Sequence, residues 1–579
     1  MSDDVTPENE PAATDATAPP ARKPGRKPVI LVALTLLFAA FTIGGRYFII
    51  ELEDLVGISM DVLNVITLFG TAALLLGWAG WALLMSGWRW PQRIAVAVLL
   101  IGLPMGFLSL FRPVGGGDID FLRFEPVWTK RAQPAALTDD AAVVTVDLKT
   151  ETPNDFAQFL GREQTGSVDA QIDPEKFADS PILWKQTIGL GWPGFVARNG
   201  FAVTMEQRGV NECVSCYKID DGTLVWLYEH PARHRDAMNL GHVGPRSTPV
   251  IHDGRVYAVG AVGNFVCLDG ADGTPLWQVD LNELLDIELA ETTDNDGLTV
   301  QYEENTSLAW GRSNSPLIVD DSVIIAGGGP RDGDKATLMA FDLQTGELKW
   351  RGGDEMIAYG SPTIATVSGV RQILMTAESQ AMGFNPETGD VLWTFERSGD
   401  SDGGANTSQL SVVSETDVMT TKGYPGGGGE RIRLNVDGEK ITPESVWYNA
   451  SVLKTKLTSP VIYDGHGYSL SNGFMESTDL SDGTRNWKQR GRFGHGQILL
   501  VGDKILIHSE SGTLHLIDAS PEEYHEYGEI KTIDGICWNT LCLYGSKLLV
   551  RSDLEAACID LPMLSQPAAD PVALENPEP

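Results

Sequence analysis

Three long apolar runs open the chain, at residues 28–45, 62–86 and 94–111, and none contains a charged residue. Each has the roughly 18 to 25 residues needed to cross the hydrocarbon of a bilayer, so the pattern predicts a three-helix transmembrane anchor over 28–111. The stretch before it, 1–27, is rich in Pro, Ala, Thr, Asp and Glu and is expected to be a disordered tail, because it has too little apolar surface to bury. That tail ends in Arg22, Lys23, Arg26 and Lys27, and Arg89 and Arg93 separate the second and third runs. The first intervening loop carries Glu51, Glu53, Asp54 and Asp61 against Arg46. The excess of positive charge predicts a cytoplasmic N-terminus and an integral inner (cytoplasmic) membrane protein. Everything after Phe111 then lies outside the cytoplasm, in the periplasm of a Gram-negative-like cell. Trp88 and Trp90 suit the membrane interface.

Beyond an expected extracytoplasmic linker at 112–180, the pattern switches to short alternating segments broken by turns. One phrase recurs: CYKIDDGTLVW ending at Trp226, CLDGADGTPLW at Trp277, AFDLQTGELKW at Trp350, GFNPETGDVLW at Trp393 and STDLSDGTRNW at Trp487. In each, a glycine precedes the tryptophan by four positions. Trp447 closes a divergent copy, and LIDASPEEYHEYGEI after Leu516 is degenerate. A second element stands upstream of the phrase, as in STPVIHDGRVYAVG from Ser247, SPLIVDDSVIIAGG from Ser315, SPTIATVSGVRQILM from Ser361 and TSPVIYDGHGYSLS from Thr458. Half-buried alternation with Asp-Gly and Thr-Gly turns predicts four antiparallel strands per unit. A spacing of about 40 to 50 residues makes each unit a propeller blade.

The predicted fold is therefore all-β, an eight-bladed β-propeller over 181–563 preceded by three transmembrane α-helices, with a disordered tail at 564–579. The last unit, which begins near Trp538, lacks an outer strand, whereas ILWKQTIG around Trp184 is an orphan strand ahead of the first. Pairing them closes the ring and leaves no open sheet edge. Seven blades stays open at this point, because the copies after Leu516 are weak.

Composition narrows the function. With 78 acidic and 43 basic residues the formal charge is −35, which repels polyphosphate and excludes general nucleic-acid binding. The one widened repeat interval holds an acidic insertion, about Leu281–Ala309, expected to be a solvated loop, with calcium binding as the sharper reading. Six cysteines do not make a disulfide scaffold in a chain of this length. Cys213 and Cys216 have redox-motif spacing but sit in a strand, where positions i and i+3 face opposite ways. Cys216, Cys267 and Cys558 share a repeat position with Ala340 and Gly383, which argues for small packing residues; Cys537 and Cys542 have no evident role. GDSDG at Gly399–Gly403 lacks the strand-to-helix elbow of a hydrolase, and GYPGGGG at Gly423–Gly429 reads as a hairpin turn.

The Gly-x-x-x-Trp phrase resembles the tryptophan-docking repeat of PQQ (pyrroloquinoline quinone) propellers, and about 400 residues look like bacterial PQQ-like repeat proteins. The same repeat occurs in quinoprotein dehydrogenases and in the propeller of the outer-membrane protein assembly machinery. The resemblance implies that Trp226, Trp277, Trp350, Trp393 and Trp487 each dock on the neighbouring blade. In the dehydrogenases it implies a quinone between a tryptophan and a vicinal disulfide, calcium on carboxylates and an amide, and an aspartate base. No Cys-Cys dipeptide occurs in this chain, and little length is left for decorated loops. The expectation is a membrane-anchored binding or scaffold module without cofactor, metal or catalytic residue; the alternative is a PQQ- and calcium-dependent oxidoreductase of alcohols or sugars.

Candidate ligand contacts come from propeller geometry, since residues just before each inner strand ring one channel mouth. They are Arg246, Arg312, Asn314, Tyr359, Lys454, Lys456, His495 and Gln497, with Glu206, Gln207 and Arg208 on an early strand and Asn539 and Arg551 in the last blade. In so acidic a protein this basic, amide-rich set predicts a site for a small anionic ligand or a protein partner. The competing expectation is that these groups cap backbone ends and line a wet channel.

Overall fold

The computed structural model describes residues 27–56, 58–115, 122–129, 134, 145–236, 241, 243–294, 297–397, 399 and 404–564. The predicted disordered tails lie outside these residues, apart from Lys27 and Leu564, as does most of the GDSDG string. The chain divides after Arg112 into two compact units.

The first unit contains three helices long and apolar enough to cross a membrane, Val29–Tyr47, Val62–Leu84 and Trp90–Leu110. The first and second pack closely: the ring of Phe38 lies over Gly70, where a Cβ would come within 2.3 Å of it. Trp78 Nε1 donates to Thr35 Oγ1 at 3.0 Å, so this polar contact between helices is satisfied within the protein. The acidic loop after the first span is a short helix, Ile49–Val56. The third span relaxes into a π-helical turn at Val98–Gly102, just before Pro104. Proline has no N–H to donate and its ring crowds the preceding turn, which accounts for the widened backbone.

The second unit is an eight-bladed propeller with four strands per blade. The inner strands are Val196–Arg198, Val250–His252, Leu317–Val319, Thr363–Val367, Ser411–Val412, Val461–Tyr463, Gln497–Val501 and Cys542–Tyr544. In blades 1 to 7 the outer strand follows in sequence. In blade 8 it is Ile182–Thr187, antiparallel to Glu555–Asp560, with Trp184 opposite Cys558. The ring has eight blades and is closed by the orphan strand.

One irregularity repeats in every blade. The outer strand slips register beside the repeat position held by Cys216, Cys267, Ala340, Gly383, Arg431, Ser477, Leu516 and Cys558. These bulges turn the tryptophans onto the next blade. Trp184 lies on Gly222, Trp226 on Gly273, Trp277 on Gly346, Trp350 on Gly389 and Trp447 on Gly483. All five glycines have φ between +71° and +77°, and a Cβ at any of them would approach the indole to 2.9 Å or less. Only glycine meets both demands. The indole N–H groups of Trp184, Trp226, Trp277, Trp447 and Trp487 donate to backbone carbonyls of the next blade at 2.7–3.1 Å. Trp487 meets Tyr524 edge-on in place of a glycine. Trp393 departs from the docking pattern. Its ring packs with Leu410, Val418 and Ile432 of blade 5, but its N–H turns back to Gln372 Oε1 of its own blade at 2.5 Å.

The Ser/Thr-Pro element links the blades nearer the axis. Gly194 N donates to Thr248 Oγ1, Thr248 N to Ser315 Oγ, and Ser315 N to Ser361 Oγ, at 2.9–3.1 Å. Gln409 N reaches Ser459 Oγ at 3.2 Å. Each hydroxyl satisfies a backbone donor of the preceding blade, and the proline after it holds the chain extended.

Part of the expected linker belongs to the wheel. Val146, Leu148, Phe156, Ile172 and Phe177 are buried in its core clusters. Phe156 exchanges two backbone hydrogen bonds with Ala197 of blade 1, Ile251 N of blade 2 donates to Ala157 O, and Ser167–Val168 pairs in parallel with Leu500–Val501 of blade 7. Blades 2 and 7 lie far apart around the ring, so this segment crosses the hub on the hairpin face and covers inner-strand edges. The acidic insertion is also structured, as a helix at Leu281–Leu285 and a hairpin of Leu289–Thr293 with Thr299–Glu303. Two buried ion pairs hold it, Arg233–Asp294 and Arg312–Glu303, at 2.7 and 2.6 Å.

Candidate functional site

The opposite face carries the turns between second and third strands and the segments entering the inner strands. The Lys422–Gly428 turn is one of them, as the glycine run predicted. Most residues singled out by the sequence lie here, and the structure engages them between blades.

Arg551 of blade 8 is fully buried and reaches into blade 1. Its Nη1 donates to Thr204 Oγ1 at 2.7 Å and Met205 O at 2.9 Å; its Nη2 donates to Gly189 O and Gly191 O at 3.1 and 3.3 Å. Burial lowers its pKa to about 10. Beside it Glu206 accepts from the Tyr217 hydroxyl and from Gly189 N, and Arg208 Nε lies at 3.2 Å. Burial opposes ionisation of Glu206, but the Arg208 and Arg551 charges with the Tyr217 hydrogen bond outweigh it and hold the carboxyl below its usual range. Gln207 Nε2 donates to Ala232 O at 2.8 Å.

The amides repeat one role. Asn314 Nδ2 donates to Ala358 O and Gly360 O, Asn539 Nδ2 to Gly191 O and Pro193 O, and Gln497 Nε2 to Leu457 O and Trp538 O, all at 2.6–3.2 Å. Each amide joins the backbone of an adjacent blade. Arg312 pairs with Glu303 and donates to Gly327 O at 2.7 Å. Arg246 lies 3.7 Å from Asp236 and donates to Gly241 O at 3.2 Å. Tyr359 hydroxyl donates to Ser307 O at 3.3 Å. Lys456 stands over the Tyr424 ring at 5.6 Å, and Lys454 engages Ser471 through its backbone N–H.

A second group gathers where the ring closes. Trp192 and Trp538 pack ring against ring, tilted by 31°, with centroids 4.7 Å apart. Trp538 Nε1 and His495 N both donate to Glu510 Oε2, at 3.2 and 2.8 Å. Of these only His495 stood out in the sequence, because the tryptophan pair and Glu510 come from three separate chain segments. Glu212 was also missed. Its Oε1 accepts from Ala261 N of blade 2 at 3.0 Å, and burial raises its pKa to about 7. His234, buried on the Gln301 carbonyl, is held down to about 4, chiefly by burial. The six cysteines are buried and free, and desolvation pushes their thiol pKa values up, to about 11 at Cys267. Such thiols are poor nucleophiles and poor redox groups.

A ring of docked tryptophans between four-stranded blades defines a PQQ-type propeller. The family model described as outer membrane protein assembly factor BamB matches residues 179–327 and 210–523, more than half of the chain, and the chain belongs to that family. BamB of Yersinia pestis is 22% identical over 282 residues, 46% of this chain and 60% of its own length. Quinohemoprotein alcohol dehydrogenase ADH IIB of Pseudomonas putida is 25% identical over 154 residues, 21% of this chain and 22% of its own. The chain thus spans less than two thirds of either relative. Among solved structures, BamB from Moraxella catarrhalis is similar with a TM-score of 0.46 and 13% identity, over 66% of this chain and 99% of that one. Quinohemoprotein alcohol dehydrogenase from Comamonas testosteroni gives a TM-score of 0.46 and 11% identity, over 72% of this chain and 82% of that one.

Proposed function

We propose that this protein is a membrane-anchored propeller whose wheel lies outside the cytoplasm and serves as a binding or scaffold module, taking a protein partner or a small anionic ligand at the mouth. The observation that carries this reading is the closed eight-bladed wheel, braced by bonds of Arg551, Asn314, Gln497 and Asn539 between blades, which leaves these four side chains to hold the scaffold. A quinone with calcium needs carboxylate and amide groups directed into the channel, and here Glu206 is taken up by Tyr217, Arg208 and Gly189. The cysteines are buried and none is adjacent to another. These residues do not fit the quinone–calcium set. The match to a family described as an assembly factor supports a protein partner. The charge asymmetry of the loops around the apolar helices supports the orientation.

The alternative, a quinoprotein oxidoreductase, has the partial match to the Pseudomonas putida alcohol dehydrogenase in its favour. Adding PQQ and calcium to the purified protein separates the two. The binding module gives no stoichiometric quinone absorbance and no dye reduction with alcohols or sugars; turnover overturns it. Crosslinking in cells then identifies the partner, and a reporter fused at the C-terminus reads the orientation.

A further inference from the structure

Blade 7 is the degenerate copy, and the residue opposite Leu516, where the other outer strands carry tryptophan, is Gly528. The short helix Pro174–Asp179 fills that space, with Ala178 against Gly528 and Phe177 fully buried. The bulge of the repeat nevertheless remains: the register slips between Leu516 and Ile517, so that Gly528 and Glu526 take neighbouring partners and Tyr527 is the extra residue. In a regular strand Glu526 and Glu529 would point to opposite faces. The added residue brings both to the face of His515, which stands directly opposite Glu529.

The three side chains converge. His515 Nδ1 lies 2.8 Å from Glu526 Oε1 and 3.7 Å from Glu529 Oε2, and one ligand atom from each residue falls within 4.8 Å of the others. Two supports hold the set: the Tyr524 hydroxyl donates to the other Glu526 oxygen at 2.5 Å, and the Phe493 ring meets the imidazole edge-on at 5.0 Å. All five residues line one cavity of about 330 Å³ between blades 6 and 7, with Arg492 and Thr513 also in its wall.

We infer that His515, Glu526 and Glu529 form a binding site for a divalent first-row transition metal ion such as zinc. One nitrogen and two carboxylate oxygens suit such an ion, whose ligand distances of about 2.0–2.2 Å place tetrahedral ligand atoms about 3.4 Å apart. The two separations from His515 Nδ1 bracket that value, and the three ligand atoms all lie within 4.8 Å of one another, so closure on a metal requires the two carboxylates to draw in around it. Without metal, His515 Nδ1 donates to the Glu526 carboxylate; the ion takes the place of that proton and bridges both acids. The cavity leaves its remaining coordination positions to water. The Tyr524 hydrogen bond orients the Glu526 carboxylate as a second layer of support does around a metal. The site lies away from the channel mouth and does not rest on the proposed partner.

The experiment uses the full chain in detergent, stripped with EDTA and titrated with Zn²⁺ or Co²⁺. About one equivalent of zinc is expected, with Co²⁺ absorption free of thiolate charge-transfer bands because every cysteine is buried. Glu529→Gln is the main variant, since that side chain is 68% exposed and its replacement leaves the fold intact. It is expected to weaken binding by roughly tenfold or more, and His515→Ala to abolish it. A parent protein that binds no zinc, equal affinity in the parent and Glu529→Gln, or a thiolate band overturns the site.

Discussion

Trp184 stands opposite Cys558 across the outermost pair of blade 8, and its indole N–H donates to Ile219 O of blade 1 at 2.7 Å. One residue thus supplies a strand to the last blade and a wedge to the first. The ends of the wheel are joined by the same contact that Trp226, Trp277, Trp447 and Trp487 make within it, and Arg551 adds further bonds across the same seam.

Deleting Ile182–Thr187 is expected to leave Glu555–Asp560 as an exposed edge and to produce aggregation, followed by light scattering. The milder Trp184→Ala is expected to lose about 2–3 kcal/mol in denaturant unfolding, below the range for fully buried aromatic truncations because the ring is half-buried. A soluble, folded monomer from the deletion would show that closure lies elsewhere.

The docking glycines offer a paired test. Gly346 and Gly369 both have positive φ, +71° and +77°, but a Cβ at Gly346 would lie 2.7 Å from the Trp277 ring while Gly369 has open space. Gly369→Ala should therefore lose only left-handed strain, about 1–2 kcal/mol. Gly346→Ala should lose that and about 1–3 kcal/mol more from overpacking. Equal losses would mean that ring and glycine are not in contact.

Arg551→Met removes four hydrogen bonds to blade 1 and one of the charges that keep Glu206 ionised. Breaking such a buried set is expected to lose about 3–5 kcal/mol. Adding Glu206→Gln should lose less than the sum of the two single changes, because the residues are coupled. Additive losses in that double-mutant cycle would separate the two groups.

Glu212 predicts a pH effect. Its folded pKa of about 7 lies above the ordinary 4.5, so between these values the folded protein holds a proton that the unfolded chain has released. Its stabilising contribution is full below about pH 4.5 and disappears as pH rises through about 7, a change on the order of 3 kcal/mol. Glu212→Gln should flatten that decline in stability and leave the protein more stable than the parent at pH 8. A parallel pair of stability–pH curves would count against the assignment.

The repeat itself was legible because its parts are local. Alternation marks strands, Asp-Gly and Thr-Gly mark turns, and a recurring Gly-x-x-x-Trp betrays docking even before the partner is known. The three long apolar helices were legible for the same reason, since length and apolarity are properties of contiguous residues. Trp393 shows the limit: its phrase matches the others, yet Gln372 in its own blade captures the indole N–H.

Candidate site residues were harder to read because a position in the chain does not reveal what faces a side chain. Asn314, Gln497, Asn539 and Arg551 were placed near the mouth by counting strands, while the carbonyls that hold them belong to adjacent blades. Glu212 and the Trp192–Trp538 pair carry no motif at all.

By itself the sequence determined the three long apolar helices, the blade count to within one and the tryptophan wedges, because each follows from short-range periodicity and elementary sterics. Tertiary structure alone decided how the hub is covered by residues before Trp184, which polar groups face one another across blades, and that a bulge gathers His515, Glu526 and Glu529 on one face. Those outcomes depend on backbone segments far apart in sequence meeting at atomic distances, which no local pattern encodes.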